Sequence, residues 1–316
     1  MATYRGTHDA IPDPRNDDVL IYVNGDLVPR VDAKISVFDS GFLVGDGVGE
    51  GIRLEDDEFV YLDAHLDRLY NGAKAIGLDI GLTREQLTAE LRRTLDANDM
   101  HDGVHVRLMI TRGVKKTPSQ DPRLVVGGPT IVIVAEYKRS NPATTGRGVR
   151  LLTSTVRRPP PDTLDPKLNC HSKLHEVVAL VQALHAGADE ALMLDVTGAV
   201  STCNATNFFI VRNGEVWTST GMYCMNGITR GKVIEACRRH GIPVHERDFS
   251  LTDVYGADEA FVTGTFGGLT PVVDVDGRTI GDGSTGPLTV RLQDHYASDK
   301  IEWIGGAKHG RGRVDG

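Results

Sequence analysis

Long apolar runs are missing from this 316-residue chain, and no stretch approaches the roughly 20 apolar residues that a membrane helix needs. Its first residues, MATYRGTHDAIPDPRNDD, have neither the basic start nor the apolar segment of a secretory signal, so no membrane partner and a cytoplasmic location are expected. Cysteine is scarce. Cys170, Cys203, Cys224 and Cys237 show no paired metal-ligand spacing and are too few for a disulfide framework, so reduced thiols and no metal are expected. Basic clusters are also short: Arg157-Arg158, Lys115-Lys116 and Arg238-Arg239 cannot track a nucleic-acid backbone, and the formal charge of −8 comes from dispersed acids. Gly45, Gly47, Gly49 and Gly51 lack the spacing of a dinucleotide fingerprint, and no internal repeat is visible.

With 40% apolar residues the chain can bury one large core or two moderate ones. Asn24-Gly25 supplies the positive φ angles of a tight hairpin between strands over 19–30. Leu66, Leu69, Tyr70, Ala73 and Ile76 recur at helical spacing, and Thr83-Arg84-Glu85-Gln86 reads as a capping box opening a helix through Leu95. Strands are expected at 104–111 and 130–137, and the small, polar run KRSNPATTGRG at 138–148 is the candidate connector. Beyond it come a strand at 149–156, a Pro-rich loop, a helix near 174–185, strands divided by Asn213-Gly214 and Asp276-Gly277 turns, and a helix at 229–240. The expectation is α+β in two domains, 1–137 and 149–316.

Gly187-Ala188-Asp189-Glu190-Ala191-Leu192-Met193-Leu194-Asp195, with Asn204-Ala205-Thr206-Asn207-Phe208-Phe209-Ile210-Val211, resembles the fold-type IV pyridoxal-phosphate enzymes. That family holds branched-chain and D-amino-acid aminotransferases, amine transaminases and aminodeoxychorismate lyases. The resemblance spans about Val19 to Tyr296 and implies dimers with pockets at the domain interface. It implies that the phosphate is met by Arg68, by Ile228 and Thr229 in Gly227-Ile228-Thr229-Arg230, and by Thr265. An arginine fork grips two oxygens, and a helix start offers backbone N–H groups.

Two positions depart from the pattern. Counting back from Asn207, the usual glutamate beside the pyridine nitrogen is Thr202, a neutral partner that leaves the ring a weaker electron sink, unless Thr202 merely packs in a strand. The imine-forming lysine lies 18 residues before the family glycine that matches Gly187, and residue 169 is asparagine. Lys173, four positions later, is the favoured catalytic amine. Lys167, on the same face of a strand, and no lysine at all remain open.

On the substrate side, Glu50-Gly51-Ile52-Arg53 resembles the branched-chain enzymes, with Gly49 in place of an aromatic ring. Its room either favours a bulkier substrate or is filled by another side chain. Arg107 is a candidate for a substrate carboxylate, and Phe266-Gly267-Gly268 resembles the amine transaminases. The segment Thr111 to Ser119 lacks the Arg and His clamp of the D-amino-acid enzymes. The leading expectation is therefore an aminotransferase that passes an amino group from an amino acid or amine, through the cofactor, to a 2-oxo acid. The alternatives are a lyase of the same fold and a non-catalytic binding protein.

Overall fold

The structure, a computed structural model, describes residues 6–311. They divide into two compact units: residues 11–139 with 168–173, and residues 6–10, 140–167 and 174–311.

In the first unit Asn24 and Gly25, at φ 51° and 103°, turn the hairpin between Leu20–Val23 and Asp26–Pro29. Those strands join an antiparallel sheet in the order Asp26–Pro29, Leu20–Val23, Thr130–Tyr137, Val104–Thr111, Gly47–Glu55, Glu58–Phe59. Helix Leu62–Ala75 contributes Leu66 and Leu69, and helix Arg84–Asp96 contributes Leu87, Leu91 and Leu95, to a core with Ile52, Leu54, Val106, Leu108 and Ile133. Each of these side chains is almost fully buried, worth about 1.5 to 3 kcal/mol apiece before entropy is counted. The expected capping box forms, with Thr83 and Gln86 bonding reciprocally.

Strand Gly47–Glu55 positions the site. Period-two alternation sends Val48, Glu50, Ile52 and Leu54 to the helix-covered face, and Gly47, Gly49 and Gly51 to the other. Cross-strand pairing sets Thr111, Met109 and Arg107 beside those glycines.

The second unit holds a nine-stranded mixed sheet in the order Val200–Cys203, Glu190–Leu194, Val149–Thr153, Gly268–Val275, Glu259–Gly264, Asn207–Arg212, Glu215–Thr218, Val244–Glu246, with Arg278–Thr279 on Gly268–Val275. Phe208, Ile210 and Val262 enter one core, and Phe209 and Phe261, stacked at 4.9 Å, enter another with helix Ile228–Arg239.

The division departs from the expected 1–137, 138–148 and 149–316. Residues 6–10 join the second unit because Thr7 bonds to Glu190, and 168–173 joins the first because it pairs with the glycine strand. Residues 142–147 of the expected connector form a helix, Pro142–Arg147. Both pairings are long-range, so local patterning carries no sign of them.

Candidate active site

Glu50 has no exposed surface, yet it is a carboxylate. Arg68 grips it by Nε to Oε1 at 2.8 Å and Nη2 to Oε2 at 2.6 Å, and His65 Nδ1 meets the same Oε2 at 2.7 Å. Residues 65 and 68 share a face of helix Leu62–Ala75 by their three-residue spacing. Burial acts to raise the Glu50 pKa, but the hydrogen bonds from Arg68 and His65 outweigh it and hold the carboxyl below its ordinary range. The carboxylate thereby fixes the Arg68 guanidinium in one orientation.

The segment 168–173 runs beside the glycine strand. Gly49 N–H donates to the Asn169 carbonyl at 2.9 Å, and His171 N–H donates to the Gly47 carbonyl at 3.0 Å. The Asn169 side-chain amide donates to the Gly49 carbonyl at 2.5 Å, so Asn169 acts as a structural tie. Lys173 is partly buried in this segment, whereas Lys167 is exposed.

The room beside Gly49 is filled by the His171 ring. A Cβ at Gly47 would lie 2.8 Å from His171 Nδ1 and 2.6 Å from the Ile110 carbonyl, and one at Gly49 would lie 3.3 Å from Nε2 and 2.7 Å from the Leu108 carbonyl. Of the two readings of Gly49, the structure matches the one in which another side chain takes the space. Gly51 likewise faces the His105 ring, at 3.1 Å from Nε2. The glycine stripe leaves room for these two imidazoles against the strand. Gly49→Ala, forced against a backbone oxygen, is expected to cost about 1 to 3 kcal/mol, read as a lower urea midpoint at unchanged m-value.

In the second unit, Thr202 is buried and its hydroxyl donates to the Thr206 carbonyl at 2.7 Å while Asn207 Nδ2 approaches it at 3.3 Å. The hydroxyl proton is therefore engaged, leaving a lone pair as the group Thr202 can offer. Helix Ile228–Arg239 begins at Gly227 with no side-chain cap, so its first N–H groups are not taken by a capping side chain. A Cβ at Gly227 would lie 2.2 Å from Asn207 Oδ1, so a larger residue there must displace that side-chain amide. Thr229 is buried at this helix start, and Thr263, opposite Asn207, has a buried hydroxyl with no hydrogen-bond partner among the described residues. An uncapped helix start and an orphaned hydroxyl suit an anionic phosphate. Thr265 follows Thr263 by two residues. Phe266 stacks on His8 with centroids 6.3 Å apart, and Gly267 lies against the Thr7 carbonyl.

Glu190 anchors that N-terminal contact. Its carboxyl, fully buried, receives the Thr7 N–H at 2.8 Å, the Thr7 hydroxyl, and the Thr206 hydroxyl at 3.1 Å. Burial pushes its pKa above the ordinary 4.5. A folded pKa above the unfolded one means stability that is full at lower pH and is lost as pH rises through the folded value. Glu190→Gln keeps an acceptor for Thr7, and toward Thr206 its amide N–H donates to the hydroxyl in place of accepting from it. It is expected to fold within about 1 kcal/mol of the parent at pH 7 and to lack that loss on raising the pH, checked by thermal melts across pH.

Sequence reasoning singled out Arg68, Thr202, Thr229 and Thr265 but passed over Glu50, Glu190 and His171. The available signal for His171 was its place two residues after Asn169, on the same side of an extended segment, opposite glycines spaced by two.

The family model for amino-transferase class IV matches residues 47–275. The chain is 42% identical over 287 residues to "Branched-chain-amino-acid aminotransferase-like protein 2" of Arabidopsis thaliana, covering 91% of this chain and 51% of that one, so it spans about half the length of that relative. It is 41% identical to a "Putative branched-chain-amino-acid aminotransferase" of Methanocaldococcus jannaschii, covering 90% and 97%. The fold is similar to the T.th. branched-chain amino acid aminotransferase with pyridoxamine 5'-phosphate, with TM-score 0.83 and 30% identity over 90% of this chain and 94% of that one.

Proposed function

Because this chain belongs to the class IV aminotransferase family, with the α+β fold of the branched-chain enzymes, we propose that it moves an amino group between an amino acid or amine and a 2-oxo acid. The proposed cofactor is pyridoxal 5'-phosphate, which supplies an aldehyde that exchanges for an amine and a ring that draws electrons from the attached carbon. The observation that carries this reading is that every position assigned to phosphate or substrate lies within the matched residues 47–275.

The residues assigned to the phosphate are Arg68, Ile228, Thr229 and Thr265. Glu50 keeps the Arg68 fork oriented, and the uncapped helix start adds backbone N–H groups. Lys173 is assigned the amine that holds the cofactor and carries the proton at the substrate's α-carbon, since Asn169 has no amine and Lys167 faces solvent. Thr202 would meet the ring nitrogen with a lone pair, where other family members place a carboxylate. Gly49 shapes the substrate side with His171 over it. Arg107, Phe266 and Gly267 are assigned to the substrate carboxylate.

A homodimer is part of the proposal. Val31, Ile35, Val37, Phe38, Phe42 and Val44 are exposed within one short segment, and Leu174, Val177, Val181 and Leu184 expose an apolar stripe on helix Leu174–His185. Among the described residues no helix is long and apolar enough to cross a membrane. The four cysteines are free and buried, which suits a reducing compartment such as the cytoplasm.

Thr202 also favours a second reading, a lyase of the same fold, for which a weaker electron sink is easier to accommodate. A single-turnover assay with protein, cofactor and an amino donor separates them. Transfer yields one pyridoxamine phosphate per site with one 2-oxo acid, lyase chemistry yields product without pyridoxamine phosphate, and a binding protein changes neither.

A further inference from the structure

Residues 6–9 are tied to the second unit at both ends. At one end Thr7, itself buried, gives its N–H to Glu190 at 2.8 Å together with its hydroxyl. At the other the Asp9 carbonyl accepts the Asn141 N–H at 3.2 Å, and the Asp9 carboxylate accepts the Asn141 side-chain amide at 3.1 Å. Between them the Asp9 N–H donates to the Gly6 carbonyl at 2.8 Å, closing the segment on itself. Fixing each backbone residue costs about 1 to 2 kcal/mol of entropy, which these bonds oppose.

The segment lies against residues 264–268, the turn between strands Glu259–Gly264 and Gly268–Val275. His8 stacks on Phe266, and a Cβ built on Gly267 would be 3.0 Å from the Thr7 carbonyl and 3.6 Å from Thr7 Cβ. The Thr270 hydroxyl donates to the Gly267 carbonyl at 3.4 Å, so a second contact holds the same residue. The two glycines of this turn serve different needs. Gly268 has φ 59°, in the left-handed region, whereas Gly267 leaves room for the Thr7 carbonyl. Glu190, a buried group with no part in the proposed chemistry, therefore reaches the turn through Thr7.

We propose that residues 6–9 brace the turn 264–268, and that Thr7 and Glu190 are positioning residues for a substrate carboxylate held at that turn. The proposal deepens the proposed function and rests on its assignment of Phe266 and Gly267 to that carboxylate. A turn held by two contacts keeps its N–H groups in one orientation, so an anion meeting them has less ordering to oppose its binding.

Thr7→Pro, which removes both the N–H and the hydroxyl that Glu190 accepts, is the test, made on the full chain with pyridoxal phosphate present. Hydrogen exchange of the peptide covering 264–268 reads the brace. Calorimetric affinities of isovalerate and of isovaleramide, its uncharged counterpart, read the carboxylate contact without requiring amino transfer. The parent should prefer isovalerate. In Thr7→Pro, exchange at the turn should quicken about tenfold while strand Asn207–Arg212 stays protected, and the preference should fall about tenfold through isovalerate alone. Glu190→Gln, which keeps an acceptor for Thr7, should retain the preference. Unchanged exchange at the turn in Thr7→Pro, or equal weakening of both probes, would overturn the proposal. A parent with no preference for isovalerate would overturn the carboxylate assignment, and the exchange readout then decides the brace by itself. Protection of Asn207–Arg212 separates a loosened turn from a variant that has lost its fold.

Discussion

Lys173→Ala should lower amino transfer by about a thousandfold or more, the scale on which a lost positioned amine or proton carrier registers. Lys167→Ala should leave the rate within about twofold, as expected for an exposed surface lysine. The contrast follows from the segment 168–173. Asn169 ties it to the glycine strand through the Gly49 carbonyl, and Lys173 lies in the same segment, partly buried, with its charge felt at His171. Because no catalytic substitution should disturb the core, urea midpoints of the two variants should match the parent. Single-turnover rates provide the check, and equal losses in both variants would remove the distinction.

Glu50→Ala should cost about 3 to 5 kcal/mol, on the scale of removing one partner of a buried ion pair. The alanine leaves Arg68 and His65 facing a buried space that no longer holds their shared acceptor, and burial magnifies the loss. The pH dependence follows from the lowered Glu50 pKa. A depressed folded pKa contributes stability that is present above the ordinary 4.5 and is lost as pH falls through the folded value. Glu50→Gln should remove that part of the acid dependence while costing less than the alanine change at pH 7. Urea titrations at neutral and acid pH separate the two effects. Where Glu50→Gln still folds, its affinity for pyridoxal phosphate should fall about tenfold, since the Arg68 fork loses its second carboxylate oxygen.

Local signals carried most of the architecture. Asn24-Gly25 demanded a hairpin, and Thr83 with Gln86 demanded a helix start, because each satisfies its own backbone within a few residues. The helix start at Gly227-Ile228-Thr229, proposed above to meet the phosphate, was legible as a local signal of the same kind. Partnerships across the chain were not legible. Thr7 bonding to Glu190 and Asn169 bonding to Gly49 join residues more than a hundred positions apart, and nothing in either neighbourhood announces the other. The glycine stripe carried half of a signal: alternation at 47, 49 and 51 marked space on one strand face, but only the fold shows that His171 and His105 take it.

Borohydride reduction of the protein loaded with pyridoxal phosphate, followed by peptide mass mapping, tests most directly the claim that Lys173 has taken over the lysine's place. The account predicts a stable phosphopyridoxyl label on the peptide containing Lys173, absent from Lys173→Ala. A label on Lys167, or bound cofactor with no labelled lysine, would contradict it.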